Sequence, residues 1–269
     1  MFKPLRNTVV CSLFLAVLLL PGFAFSGTVA AYRFVGPGDS PSAPPGVFIY
    51  DQGEKLRVDI KVQPWNASLL FDRSTKVLTV LDNVLHTYDD YGSAKRMMIR
   101  SSLGVALRVN DMRLKDGNEA DQKLRDQLAR AIHIVFNSKF QKTASDRKIN
   151  QWTVDLYDGK KGYVQLSAAA MSKDKAMPNA QDWETWKEFM QILLETGRGG
   201  LEYFGAEESN LDAWPGFQGF PVSMTWREGT KVVYRLQATS IETKTLKSDL
   251  FVPPATYKEQ SMLDLLKGQ

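Results

Sequence analysis

Cysteine is all but missing from this chain: Cys11 is the only one in 269 residues, and it sits in the apolar stretch at the N-terminus. Beyond that stretch a disulfide framework, a thiolate metal site and a cysteine nucleophile are excluded. Histidine is nearly as scarce. His86 and His133 stand in neither an HxH nor an HxxxH spacing, which leaves metal binding and histidine base catalysis without support. No serine lies in a G-x-S-x-G setting, so a hydrolase triad has no anchor. A basic block is absent too. "DQKLRDQLAR" interleaves both signs, and a pI near 9.0 on that pattern does not make a nucleic-acid surface. These absences argue against an enzyme, and against any metal, cofactor or nucleic-acid partner.

What is present begins with an export signal. Lys3 and Arg6 form a short basic region, Val9 to Leu20 an apolar core, and Pro21-Gly22 a break. Ala24 and Ser26 then precede Gly27 at the spacing of a cleavage site, so residues 1–26 read as a signal peptide. The apolar run falls short of the ~20 residues a bilayer core requires, which predicts cleavage and a product that does not span the membrane. Val10 before Cys11 does not fit a lipoprotein signal. Without Lys3 and Arg6 the net charge drops from +4 to +2. Residues 27–269 are long enough to be stabilised by one hydrophobic core and are read as a single domain.

The first half of that domain has the period of strands. "TVAAYRFVG" precedes a proline-rich loop, and "GVFIYDQGEKLRVDIKV" is a hairpin turning at Gln52-Gly53. Leu56, Val58, Ile60 and Val62 alternate there with charged residues, the mark of a half-buried strand. "ASLLFD", "KVLTVLD" and "NVLHTYDDY" continue the meander with turns at Arg73-Ser74 and Asp82-Asn83. Val77, Leu78, Val80 and Leu81 put apolar groups on both faces of one strand, so something must cover each face.

A helical region follows Tyr91, with a clear helix over "NEADQKLRDQLARAIHIVF" capped by Asn118. "KINQWTVDLYDGKKGYVQLSAA" returns to strands around Asp158-Gly159. "AQDWETWKEFMQILLETGRGG" is a third helix, capped by Asp182 and ended by Gly197. A last hairpin turns at Glu228-Gly229 before "LFVPPATY" and a short amphipathic tail around Met262. Adjacent Asp89 and Asp90 point to opposite faces of an extended chain, a poor arrangement for acid/base or metal work. "GRGG" follows a helix instead of preceding one, which suits a C-terminal cap better than a phosphate cradle.

The succession "YDQGEKLRVDI", "LLFDRSTKVLTVLDNVLHTYDDY", "INQWTVDLYDG", "GFPVSMTW" and "DLFVPPATYKE" resembles an exported bacterial family. That family is related to the periplasmic lipoprotein-localisation (LolA/LolB-like) carriers, and the resemblance runs from about Gly46 to Tyr257. It implies an α+β fold: an incomplete antiparallel β-barrel, or half-barrel, with helices over its concave face. It also implies a periplasmic protein, tied to outer-membrane biogenesis, that holds a lipid or lipoprotein acyl chain. The turn at Gln52-Gly53 lacks the arginine that contributes to the carriers' lid, so no arginine role is carried over. On this reading Leu78, Val80, Trp152, Val154, Trp186, Met190, Met224 and Trp226 line the ligand site. The alternative is a non-catalytic envelope sensor or protein-interaction module of the same fold, marked by an exposed apolar patch around "DWETWKEF".

Overall fold

The computed structural model describes residues 27–35, 44–62, 65–101, 135–161, 163–171, 180–208 and 220–261, with scattered positions of a helix between 122 and 133. The expected signal peptide, most of the proline-rich loop, the Asn118 cap and the tail around Met262 lie outside the described residues.

The strands are β1 (Thr28–Val35), β2 (Val47–Asp51), β3 (Lys55–Val62), β4 (Trp65–Asp72), β5 (Val77–Asp82) and β6 (Thr87–Tyr91). After a helical interval come β7 (Lys139–Ile149), β8 (Trp152–Lys161) and β9 (Val164–Met171). A long helix (Ala180–Tyr203) precedes β10 (Phe220–Glu228), β11 (Lys231–Thr243) and the two-residue β12 (Lys258–Glu259). All twelve strands form one sheet in the order β12-β6-β5-β4-β3-β2-β1-β11-β10-β9-β8-β7. Two meanders are thus joined side by side where β1 meets β11, a pairing that links Thr28 to Thr243.

This architecture corrects the expected half-barrel. The sheet is open, with β12 and β7 as its outermost strands among the described residues. It is mixed, because β12 runs parallel to β6 while every other pair is antiparallel. It is also mostly β, with few helices among the described residues, and is not a barrel wall roofed by helices. The reason is topological: local alternation sets each hairpin, but closure depends on which distant strands meet.

Apolar residues on both faces of β5 are explained by two different covers. Leu78 lies opposite Phe71 and Tyr91, and this side faces the main core shared with the long helix. Leu81 alternates to the other side with Leu70 and Ser68, and is fully buried there. The C-terminal segment from Lys244 to Gln260 crosses that second face as a strap. It begins where Lys244 N–H donates to Gly27 O, passes Arg57, and ends where Lys258 N–H and Gln260 N–H donate to His86 O and Tyr88 O. Leu246 packs so closely on Gly27 that a Cβ there would lie 2.2 Å from its Cδ1.

Four local readings shift. The turns after β4 and β5 span four residues each, 73–76 and 83–86, so His86 leaves the strand and adopts a positive φ of 54°. Asp158-Gly159 is strand, and the chain turns at Tyr163 instead. The polar stretch Lys139–Ile149, without alternation, is edge strand β7. The long helix starts at Ala180, which puts Asp182 inside it, and it runs through all of Gly197 to Gly200. Buried Leu201 extends it past the glycines. It then closes at Gly205 (φ 91°), where Ala206 N–H donates to Leu201 O and Gly205 N–H to Glu202 O.

Candidate apolar site

The main core lies between the first face of the sheet and the long helix. Phe189 is fully buried and stands 5.8 Å from Phe71 of β4 and 5.5 Å from Trp186, ring to ring. Tyr32 is buried at the junction of the two meanders, and burial pushes its phenol well above the usual range while its hydroxyl donates to Pro221 O. Burial of aromatic and aliphatic groups at this scale is the dominant stabilising term.

Six of the eight expected lining residues belong to one contiguous buried cluster, which takes in residues from both sides of β8: Leu78, Trp152, Val154, Trp186, Met190 and Met224. Val80 packs at its margin. Trp226 is apart, in a small group with Val164 and Leu166. The register adds a distinction that periodicity could not supply. Met224 pairs with Ala168, and Ala168 with Tyr157, so these three share a side of the sheet. Trp152 and Val154 stand at odd spacings from Tyr157 and point to the other side of β8. Ala168, Ala169 and Ala170 are all buried, so β9 is covered on both faces.

Trp226 has the most unusual chemistry of the set. Its ring is tilted 5.5 Å from Tyr234, which stacks in turn on Phe34 at 5.4 Å. Its indole Nε1 is buried and meets no acceptor among the described residues. A buried donor left unpaired costs about 1–3 kcal/mol, so the position invites an acceptor.

The helix over this layer is latched at its first half by charge. Glu188 meets the Arg73 Nε at 3.4 Å and the Lys76 ammonium, both on the turn after β4. Partial burial pushes Glu188 up, but the Lys76 hydrogen bond and the two positive charges outweigh it, and its carboxyl is held below the usual range. At the far end, Arg198 pairs with Glu202 at 2.9 Å and Glu208 at 2.6 Å. Asn137 Nδ2 also donates to Gly205 O at 2.7 Å. Ion pairs that keep at least one partner partly in solvent are individually modest, so apolar contact carries most of the helix's attachment.

Within "DWETWKEF" both Trp186 and Phe189 face the core, and the side chain of Trp183 lies outside the described residues. The two histidines are far apart in role: His86 stacks on Tyr257 at 5.3 Å, and His133 Nδ1 approaches Gly205 O. Among the described residues no group of three His, Cys, Asp or Glu side chains could hold a metal ion. Nor is any described helix long and apolar enough to cross a membrane.

No protein-family model matches the chain, and no curated protein matches it. Among solved structures it is similar to PNGF-II in two crystal forms, at TM-score 0.40 and 8% or 9% identity. Those matches cover 90% of this chain but 32% of PNGF-II, so the chain spans about a third of that protein's length. An uncharacterised conserved protein from Thermus thermophilus matches at TM-score 0.38 and 7% identity, over 96% of this chain and all of the other. Likeness this slight bears on neither fold nor activity.

Proposed function

We propose that this protein binds, without catalysis, a lipid or acyl chain whose polar end carries a hydrogen-bond acceptor. The observation that carries the reading is the Trp226 indole N–H, buried in an apolar group and without an acceptor among the described residues. An ester or carboxyl oxygen placed there would satisfy the donor, while each methylene buried behind it would contribute ~0.8 kcal/mol. Met190 and Met224 in the adjoining core suit such a guest, because unbranched thioethers repack around irregular shapes. Entry on this reading goes by way of the long helix, which packs on the buried cluster and would lift from the sheet. Its Glu188 latch, partly open to solvent, is modest enough to permit this. The same reading, with the Lol-carrier resemblance, has the protein working in the periplasm after loss of residues 1–26.

Native mass spectrometry of protein recovered from the periplasmic fraction, followed by solvent extraction, tests the proposal. Co-purifying acyl chains are expected. Trp226→Phe, which keeps an aromatic ring but removes the donor, is expected to weaken binding of a fluorescent fatty acid roughly fivefold to tenfold. Protein that carries no lipid and takes up no probe would end the reading.

A further inference from the structure

Two turns of this sheet are built alike, and they differ in what they show to the solvent. After β4, Asp72 Oδ1 accepts from the backbone N–H groups of Ser74 and Thr75, and Lys76 closes the turn at φ 57°. After β5, Asp82 Oδ1 accepts from the N–H groups of Val84 and Leu85, and His86 closes it at φ 54°. The geometry therefore has no need of aliphatic side chains at its apex, because Ser74 and Thr75 serve the same positions in the sister turn. Yet Val84 is 50% and Leu85 58% exposed. Single exposed aliphatics are ordinary, but two in succession on one turn, where the fold accepts polar residues, point to a contact.

We infer that the 83–86 turn is a lipid-docking tip that dips Val84 and Leu85 into a membrane interface. Three features favour a lipid surface as occupant. A four-residue turn offers far less than the ~800 Å² per partner of a stable protein interface, whereas shallow insertion at a bilayer surface uses few side chains. Both N–H groups at the apex are already bonded to Asp82, so no bare donor enters the low-dielectric region. Exposed Lys61 and Lys258 stand at this same end of the sheet, where β3 ends and β12 begins, and cations on that side favour an anionic headgroup layer. The tip is also held rigid from behind. Tyr257 donates its hydroxyl to Asn83 Oδ1 at 3.0 Å and stacks on His86, and Asn83 N–H donates to Asn66 O. This inference does not rest on the ligand proposed above.

A spin label read by collision with a water-soluble relaxant tests it in the full chain carrying Cys11→Ser. One variant takes the label at Val84→Cys, leaving Leu85 in place, and a control takes it at Ser74→Cys on the sister turn. The probes are vesicles of phosphatidylcholine alone and of phosphatidylcholine with phosphatidylglycerol. The label at 84 is expected to lose relaxant access by at least about threefold on adding vesicles, while the label at 74 stays wet. Adding Leu85→Thr, the residue type the sister turn already accepts, is expected to restore access at 84. A larger effect on the anionic vesicles assigns a role to the lysines, and an equal effect assigns the docking to the aliphatic pair alone. A label at 84 that stays as wet as at 74, or immersion unmoved by Leu85→Thr, overturns the inference and leaves the tip to a protein partner.

Discussion

Arg57 of β3 donates its Nη1 to the backbone carbonyl of Leu250 at 2.8 Å, across 193 positions of sequence. The same guanidinium donates Nε to Asp59 at 2.6 Å and Nη2 to Ser68 Oγ at 3.3 Å. One planar group thus ties the C-terminal strap to the second face of the sheet while neutralising a buried carboxylate.

Arg57→Met should therefore be costly in a specific way. It leaves Asp59 buried without its only ion-pair partner among the described residues, a situation worth about 3–5 kcal/mol of destabilisation. Urea unfolding of the single variant and of Arg57→Met with Asp59→Leu separates the terms, since the double variant should recover part of the loss. Limited proteolysis should also find the strap between Lys244 and Gln260 more readily cut in the single variant. A single variant as stable as the parent would mean that the strap is held by its apolar contacts alone.

Acid should loosen the latch of the long helix. The folded Glu188 carboxyl is depressed by Lys76 and Arg73, so its contribution is fully present above the unfolded glutamate value of about 4.3 and is lost as pH falls through the folded value. Asp72, which shapes the turn bearing both cations, is also depressed. Burial raises it, and hydrogen bonds from Ser74 and Thr75 and the Lys55 charge more than compensate, so it follows the same direction. The stability advantage of the parent over Glu188→Gln should be constant at neutral pH and shrink in this acidic window. Denaturant titrations at stepped pH measure it, and an advantage that grew on acidification would contradict the assignment.

The sequence was readable where one residue's environment is set by its neighbours. Alternation of Leu56, Val58 and Ile60 with charges gave β3 and its turn at Gly53, as found. The apolar doublets of β5 correctly implied two covered faces, although nothing local identified the C-terminal strap as the second cover. Legibility failed where distant contacts override local preference. Gly159 mimics a turn residue, yet it lies flat in β8 because Lys139 O and Phe140 crowd the space a Cβ would need. Edge strand β7 has no alternation because it is exposed along most of its length. The eight site residues were legible as apolar, but their sides depend on bulges such as that between Pro221 and Ser223, which no period reveals.

Gly205 ends the long helix in the left-handed region, with His133 Nδ1 only 3.4 Å from where a Cβ would stand. Gly205→Ala should lower stability by about 1–2 kcal/mol, and Gly205→Asn by less, because asparagine tolerates this backbone. Thermal unfolding of the two variants checks the order. An alanine variant at or above the asparagine variant would show that the helix can end elsewhere.

Trp226 offers the sharpest separation between packing and polarity. Trp226→Ala empties a buried site and should cost about 3–5 kcal/mol, as truncation of a core aromatic does. Trp226→Phe loses part of the ring but also removes the unpaired indole donor, whose penalty of about 1–3 kcal/mol offsets the lost contacts. In ligand-free protein the phenylalanine variant should therefore stay within ~1 kcal/mol of the parent. The asymmetry appears when acyl ligand is added: the parent should gain thermal stability with ligand concentration, and the phenylalanine variant should gain less at each concentration. If Trp226→Phe instead destabilises the free protein as much as Trp226→Ala, the indole N–H is already satisfied within the fold. No acceptor on a guest is then required.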